Sequence, residues 1–181
     1  MNEQGKEGSF GLIFAVMLAS IAIASLWNTF PVIKNSVAYI LDPTAGVLLN
    51  WHMTLGMLIL VFLISIIVTL IQKYATDQKT LREMKKEQKE MSKEMKKYKD
   101  HPEKLLEFQK KQFEFMPKMM KLSMRPIIFT AIPFVLFFRW FNDFFTAIGE
   151  VKFLGFLSWF WFYLIFTLIF SSIMRKVFDV A

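Results

Sequence analysis

The chain has 181 residues, of which 55% are hydrophobic, and a formal net charge of +7. Apolar runs of membrane-spanning length exclude an ordinary soluble domain. With no Cys in the sequence, a disulfide framework, a thiolate nucleophile and a Cys-ligated metal are excluded as well.

Met1 to Ser9 is short and polar. Phe10 to Trp27 is apolar enough to enter a bilayer and carries small residues (Ala15, Ala19, Ser20, Ala22, Ala24, Ser25) suited to a helix contact. Ala22-Ile23-Ala24 also has the small-x-small form of a signal-peptide cleavage site. The preceding region has only Lys6, offset by Glu3 and Glu7, which favours an uncleaved first span. Both readings put the residues after Trp27 outside the cytoplasm. In Asn28 to Asn50, Val32, Ile33, Val37, Ile40 and Leu41 fall at helical spacings, so a short interfacial helix is predicted, ended by Asp42-Pro43. The next span begins between Pro43 and Trp51 and ends near Tyr74, with Trp51 and Tyr74 suited to the two interfaces. Ser65, Thr69 and Gln72 share one helical face of it. His52 at the membrane edge and His101 further on are read as interface and turn residues, since no other His or carboxylate stands at metal-ligand spacing.

Lys73 to Arg125 holds sixteen Lys/Arg and nine Asp/Glu, and therefore the whole of the net charge. Short basic loops stay on the cytoplasmic side, which sets the topology. Leu81, Met84, Gln88, Met91, Met95 and Tyr98 recur at alternating spacings of three and four, an a/d seam. Asp100-His101-Pro102 breaks the pattern, because the residue before a proline is pushed out of the helical region. A second stripe runs through Leu106, Gln109, Phe113, Met116 and Met120, widened by Leu105, Phe108 and Phe115. Two arms and a turn predict an antiparallel helical hairpin. Seven of the twelve Met lie between Met84 and Met124, and Met-rich surfaces adapt to varied apolar partners. Pro126 then opens a span at a position it tolerates, and Pro133 is expected to kink it. Only twelve residues separate Pro126 from Arg139, which predicts a short span, extended by Trp140 to Phe145, and a locally thinned bilayer. Arg139 is expected to snorkel or to pair with Asp143. Phe141 to Lys152 is read as an external turn and Phe153 to Met174 as the last span, ended by Arg175-Lys176, with Thr167 and Ser171 on one face.

No Gly-rich phosphate loop, paired intramembrane carboxylates or Ser/His/Asp set is present, so an enzyme is not expected, nor any cofactor or metal. The order of elements, a span running into Lys73-Tyr74-Ala75-Thr76-Asp77-Gln78, a charged hairpin, then Met119-Met120-Lys121-Leu122-Ser123-Met124-Arg125-Pro126 opening a span, resembles the archaeal YidC-like integral membrane proteins. These belong to the Oxa/YidC/Alb superfamily of membrane protein insertases. The resemblance covers about Asn50 to Lys176.

It implies an all-α integral membrane protein with a three-span insertase-like core and a cytoplasmic helical hairpin, to which this chain adds an N-terminal hydrophobic segment. The divisions are 1–49 (hydrophobic segment and external connector), 50–74 (first core span), 75–125 (hairpin) and 126–181 (second and third core spans with a cytoplasmic C-terminus). It further implies a polar groove that lowers the cost of moving client segments across the cell membrane. Ser65, Thr69, Gln72, Thr167 and Ser171 are the groove candidates, with Arg125 at its mouth. Lys85, Lys86, Lys96, Lys97, Met116, Met119 and Met120 are the candidates for contact with ribosome or client. The expected partners are nascent membrane proteins, ribosomal RNA, lipids and partner membrane subunits. An ion channel and a docking scaffold are the competing readings; no acidic ring or re-entrant filter supports the first.

Overall fold

His52 sets the start of a 23-residue helix long and apolar enough to cross a bilayer. Its backbone is extended and its ring nitrogen Nδ1 accepts the Leu55 amide at 3.3 Å, a cap for an otherwise orphaned donor. The computed structural model describes residues 10–98, 102–149 and 151–180. In chain order its helices are α1 (Phe10–Leu26), α2 (Pro31–Leu41), α3 (Val47–Trp51), α4 (Met53–Ala75), α5 (Gln78–Lys97), α6 (Pro102–Met124), α7 (Ile127–Ile148) and α8 (Trp159–Val177). A small β-hairpin, β1 (Lys152–Phe153) and β2 (Leu157–Ser158), precedes α8. The protein is an all-α membrane protein. Helices α4, α7 and α8 are each long and apolar enough to cross a bilayer, whereas α1 passes that test only together with Pro31–Trp51, from which it is bent by 95°.

The junction between α4 and α5 is built by Thr76-Asp77-Gln78. Thr76 is extended and ends α4, and its hydroxyl reaches the Leu122 carbonyl of α6 at 3.5 Å. The Asp77 carboxylate accepts the Lys79 and Thr80 amides at 3.1 and 3.2 Å and so caps α5. The Gln78 side-chain amide donates back to the Gln72 carbonyl at 2.8 Å, closing the end of α4. Helices α5 and α6 pack side by side. On α5 the inward residues are the predicted ones, with Leu81 buried and Met84, Gln88, Met91, Met95 and Tyr98 half-buried. On α6 the seam differs from the expectation. It runs through Leu105, Phe108, Gln112, Phe115, Met119 and Leu122, while Leu106, Phe113, Met116 and Met120 are exposed. The helix carries two stripes of the same three-four spacing offset by one residue, and one partner helix covers only one of them. Asp100 and His101 lie outside the described residues.

At the far end of the spans, opposite the hairpin, three further expectations are corrected. Asp42-Pro43 does not stop the connector: the chain passes through a widened π-type turn over Asp42–Gly46 straight into α3. Such a turn shifts the hydrogen-bond register, which accommodates a residue with no N–H. Helix α7 runs past Arg139 and past the expected extension to Phe145, reaching Ile148, 22 residues or about 33 Å. Phe153 to Ser158 is a β-hairpin rather than span, because Leu154 (φ 54°) and Gly155 (φ 86°) turn the chain before α8 begins.

An aromatic core closes this end. Phe141, Phe153 and Phe162 are fully buried. Trp159 stacks on Phe145 at 5.5 Å, and Phe153 lies 4.7 Å from Phe162. Packing among the spans is uneven: α4 runs tightly along α8, α1 runs along α7, and α4 touches α7 far less. Of the small residues expected to make the α1 contact, only Ser20 is buried and Ala24 half-buried; Ile13, Val16, Ile23 and Trp27 complete that face.

The corner between α3 and α4 depends on Gly56. A Cβ there would lie 2.3 Å from the Leu48 carbonyl oxygen, a backbone atom that cannot move aside, whereas at Gly46 the nearest atom would be 3.6 Å away. Gly56→Ala is therefore expected to destabilise by about 1–3 kcal/mol and Gly46→Ala to change stability little. Thermal unfolding of the two detergent-solubilised variants, followed by size-exclusion chromatography, checks this contrast.

Candidate functional site

The uneven packing of the spans leaves a cavity of about 650 Å³ between the α4–α8 pair on one side and α7 on the other, with α1 as a further wall. Its lining is almost entirely apolar. Helix α4 contributes Ile64, Ser65, Ile67, Val68 and Ile71, and α7 contributes Ile127, Phe129, Thr130, Ala131, Pro133, Phe134, Val135, Phe137 and Phe138. Helix α8 adds Tyr163, Thr167 and Ser171, and α1 adds Met17, Ser20 and Ile21. The aromatic core lies at its far end, and its other end faces Ile127, where α7 leaves the hairpin.

The polar groups in this lining fall into two kinds. Ser20 and Thr130 satisfy themselves on their own helices, bonding the Val16 carbonyl at 2.8 Å and the Pro126 carbonyl at 3.0 Å. Ser65 Oγ and Thr167 Oγ1 do not bond their own helices: both oxygens are buried, Ser65 Oγ has no partner, and Thr167 Oγ1 has only the Tyr163 phenol beside it as a side-chain partner, outside ordinary hydrogen-bond geometry. In hydrocarbon such a group costs free energy until it finds a partner. Pro133 adds a third polar feature, since it has no N–H to offer the Phe129 carbonyl one turn earlier.

Of the six groove candidates, Ser65, Thr167 and Ser171 thus stand on the cavity wall. Thr69 does not: its hydroxyl is buried and bonds the Ser65 carbonyl at 2.6 Å. Gln72 and Arg125 lie outside the lining, Gln72 at the end of α4 where its carbonyl takes the Gln78 amide. Helical phase alone put Thr69 and Gln72 on the Ser65 face; the cavity instead runs along the Ile64, Ile67, Val68 and Ile71 stripe of α4, so Ser65 reaches its edge while Thr69 and Gln72 point elsewhere. Among the hairpin candidates, Lys85, Lys86, Lys96, Lys97, Met116 and Met120 are exposed, and Met119 is half-buried on the inner seam. Among the described residues no group of three His, Asp or Glu stands close enough to hold a metal ion.

Two polar clusters bracket the cavity, and neither was legible in the sequence. At the far end Asp143 accepts Trp27 Nε1–H at 2.8 Å and pairs with Lys34 Nζ at 2.8 Å. Arg139 lies over the Trp27 ring at 5.9 Å with its Nε buried and unbonded, and the expected pairing with Asp143 is not made, since that carboxylate binds Trp27 and Lys34. Beside this cluster Trp140 Nε1–H donates to Asp42 at 2.8 Å. At the hairpin end Arg82 binds both the carboxylate of Asp179, at 2.6 Å, and its backbone carbonyl. The Arg82 guanidinium holds the Asp179 carboxyl below its ordinary range. Asp179 itself sits in the left-handed region that ends α8, where the Val180 amide reaches back to the Arg175 carbonyl at 2.8 Å.

This arrangement, a basic hairpin between two spans and a third span closing an almost entirely apolar cavity, coincides with a family match. The family described as integral membrane protein EMC3/TMCO1-like matches residues 39–181. The chain belongs to this family. The EMC3/TMCO1-like proteins are part of the Oxa1/YidC/Alb3 insertase superfamily, and the protein is accordingly a multi-pass, insertase-related membrane protein. No curated protein and no solved structure matches it. In this EMC3/TMCO1-like chain the matched region starts inside α2, so α1 lies outside it.

Because the cavity hydroxyls are unpartnered, Ser65→Ala and Thr167→Val are expected to leave stability unchanged or raise it by about 1 kcal/mol. Thr69→Val, which loses a formed bond, is expected to lower it by about the same amount. Thermal unfolding of the three variants in one detergent distinguishes the two classes.

Proposed function

We propose that this protein is a membrane protein insertase of the archaeal YidC-like type, resident in the cell membrane with its hairpin and C-terminus in the cytoplasm. It receives nascent hydrophobic segments and lowers the cost of moving their polar flanks through hydrocarbon, without covalent chemistry. The observation that carries this reading is the pair of unpartnered hydroxyls, Ser65 and Thr167, in a cavity that is otherwise apolar. An apolar wall accepts the client's side chains while the hydroxyls offer transient partners to its polar groups. Ser65 Oγ has no native bond to break first, and both oxygens are buried, so the cavity walls part slightly for a client to reach them.

The hairpin supports the same reading. Lys85, Lys86, Lys96 and Lys97 project from α5 into solvent, a basic surface suited to ribosomal RNA. The outer stripe of α6, Leu106, Phe113, Met116 and Met120, offers apolar contact to an emerging chain. Anionic lipid headgroups and partner membrane subunits are further proposed contacts.

Two measurements test this. In proteoliposomes, the double variant Ser65→Leu, Thr167→Leu is expected to slow insertion of a client with a charged translocated tail roughly tenfold, the factor about 1.4 kcal/mol of barrier supplies. Unchanged insertion would leave a docking scaffold as the better account. Ribosome association is expected to weaken at least tenfold between about 50 and 200 mM salt, and again when the four hairpin lysines become Glu. Association indifferent to both changes removes the hairpin's charge from the mechanism.

A further inference from the structure

At the junction of α4 and α5 the surface forms a second, open cavity of about 520 Å³, lined by Lys73, Gln78, Lys79, Arg82, Glu83 and Asp179. That volume falls in the range of small-ligand sites, about 300–1,000 Å³. Three of its side chains are cations brought together from two helices: Lys73 from the last turn of α4, Lys79 and Arg82 from the first two turns of α5. An anion already sits among them. The Asp179 carboxylate binds Arg82 at 2.6 Å, and Arg82 together with Lys73 holds it below its ordinary range. The pair is lightly held, because the Asp179 side chain is 81% exposed and that of Arg82 47%, and exposed ion pairs exchange readily. Asp179 follows the end of α8 at Val177, so it can be displaced without unwinding that helix. With Asp179 gone, the lining keeps three positive charges against the one of Glu83.

We propose that this cavity binds the phosphate of an anionic lipid headgroup, and that Asp179 is a resident carboxylate which the phosphate displaces from Arg82. Position selects the lipid as the source of the anion. Lys73 in the last turn of α4, with Arg175 and Lys176 in the last turn of α8, marks the level at which both spans leave hydrocarbon. Basic residues at that level attract anionic headgroups. The Arg82 guanidinium donates to two phosphate oxygens through its planar fork, and Lys73 and Lys79 add point charges. The Gln78 side-chain amide is already engaged with the Gln72 carbonyl, so the cations carry the recognition. Occupancy releases the segment after α8 from α5, which couples lipid composition to the base of the hairpin through one ion pair. The proposal gives the lipid contact a place and does not rest on insertion activity.

The test titrates delipidated full-length protein in detergent with dioleoylphosphatidylglycerol or dioleoylphosphatidylcholine and reads bound lipid by native mass spectrometry. Phosphatidylglycerol is expected to bind in preference to phosphatidylcholine. Arg82→Gln is expected to weaken it roughly tenfold, the loss of a charged, bidentate donor. Asp179→Asn is expected to strengthen it roughly threefold, the modest factor that an exposed pair supplies. Lys89→Gln and Glu87→Gln make the same charge changes at exposed positions of α5 outside the cavity and are expected to leave binding unchanged. The opposite signs are decisive, since breaking a merely structural ion pair has the same effect from either side. Weaker binding in both Arg82→Gln and Asp179→Asn, equal shifts in the two controls, or phosphatidylcholine bound as tightly would overturn the proposal. Displacement of the phosphatidylglycerol by millimolar inorganic phosphate would overturn the lipid as its source and assign the cavity to a soluble anion.

Discussion

A carboxylate on a helix that has to cross hydrocarbon governs the architecture of the first half of this protein. Asp143 stands in α7 about a turn and a half before its end, where a carboxylate left unpaired beside hydrocarbon costs free energy. The chain meets that cost by bringing Trp27 and Lys34 to the same carboxylate oxygen. Those two residues belong to either side of the bend between α1 and α2, so satisfying Asp143 also decides where α1 lies. Arg139 over the Trp27 ring, and Trp140 bonded to Asp42 beside it, extend the same solution to the neighbouring turn.

With the far end held in this way, the other end can be open. Aromatic rings from α7, α8 and β1 fill the far end to native density, while towards the hairpin α7 diverges from the α4–α8 pair and leaves space. The contrast is between side chains that complete each other and hydroxyls that do not. Ser65 and Thr167 face that space without partners, a state that packing forces alone would not preserve. Unlike them, Thr69 one turn on from Ser65 bonds back to its own helix and takes no part in the cavity.

The hairpin shows how a repeated spacing leaves a choice open. Alternating threes and fours on α5 identify its inner face without ambiguity, because the residues off the seam are charged. On α6 two adjacent stripes both satisfy the rule: Leu106, Phe113, Met116 and Met120 of the expected one are left outside, while Leu105, Phe108 and Phe115, expected only to widen it, are covered. The charge distribution was legible for the opposite reason. Lys85, Lys86, Lys96 and Lys97 sit between seam positions, and a helix with one covered face must expose them.

By itself the sequence determined that this is a helical membrane protein, that the segment between two of its spans is a charged hairpin, and which superfamily its junction motifs resemble. These properties arise from local composition and periodicity, which a single helix expresses whatever its neighbours do. The tertiary structure alone decided which hydroxyls share a cavity, which stripe of α6 is covered, how far α7 runs past Arg139 and what α1 leans on. Each depends on a partner distant in sequence: Trp27 and Asp143 are brought together across more than a hundred residues, and no spacing rule within a helix encodes a contact between helices.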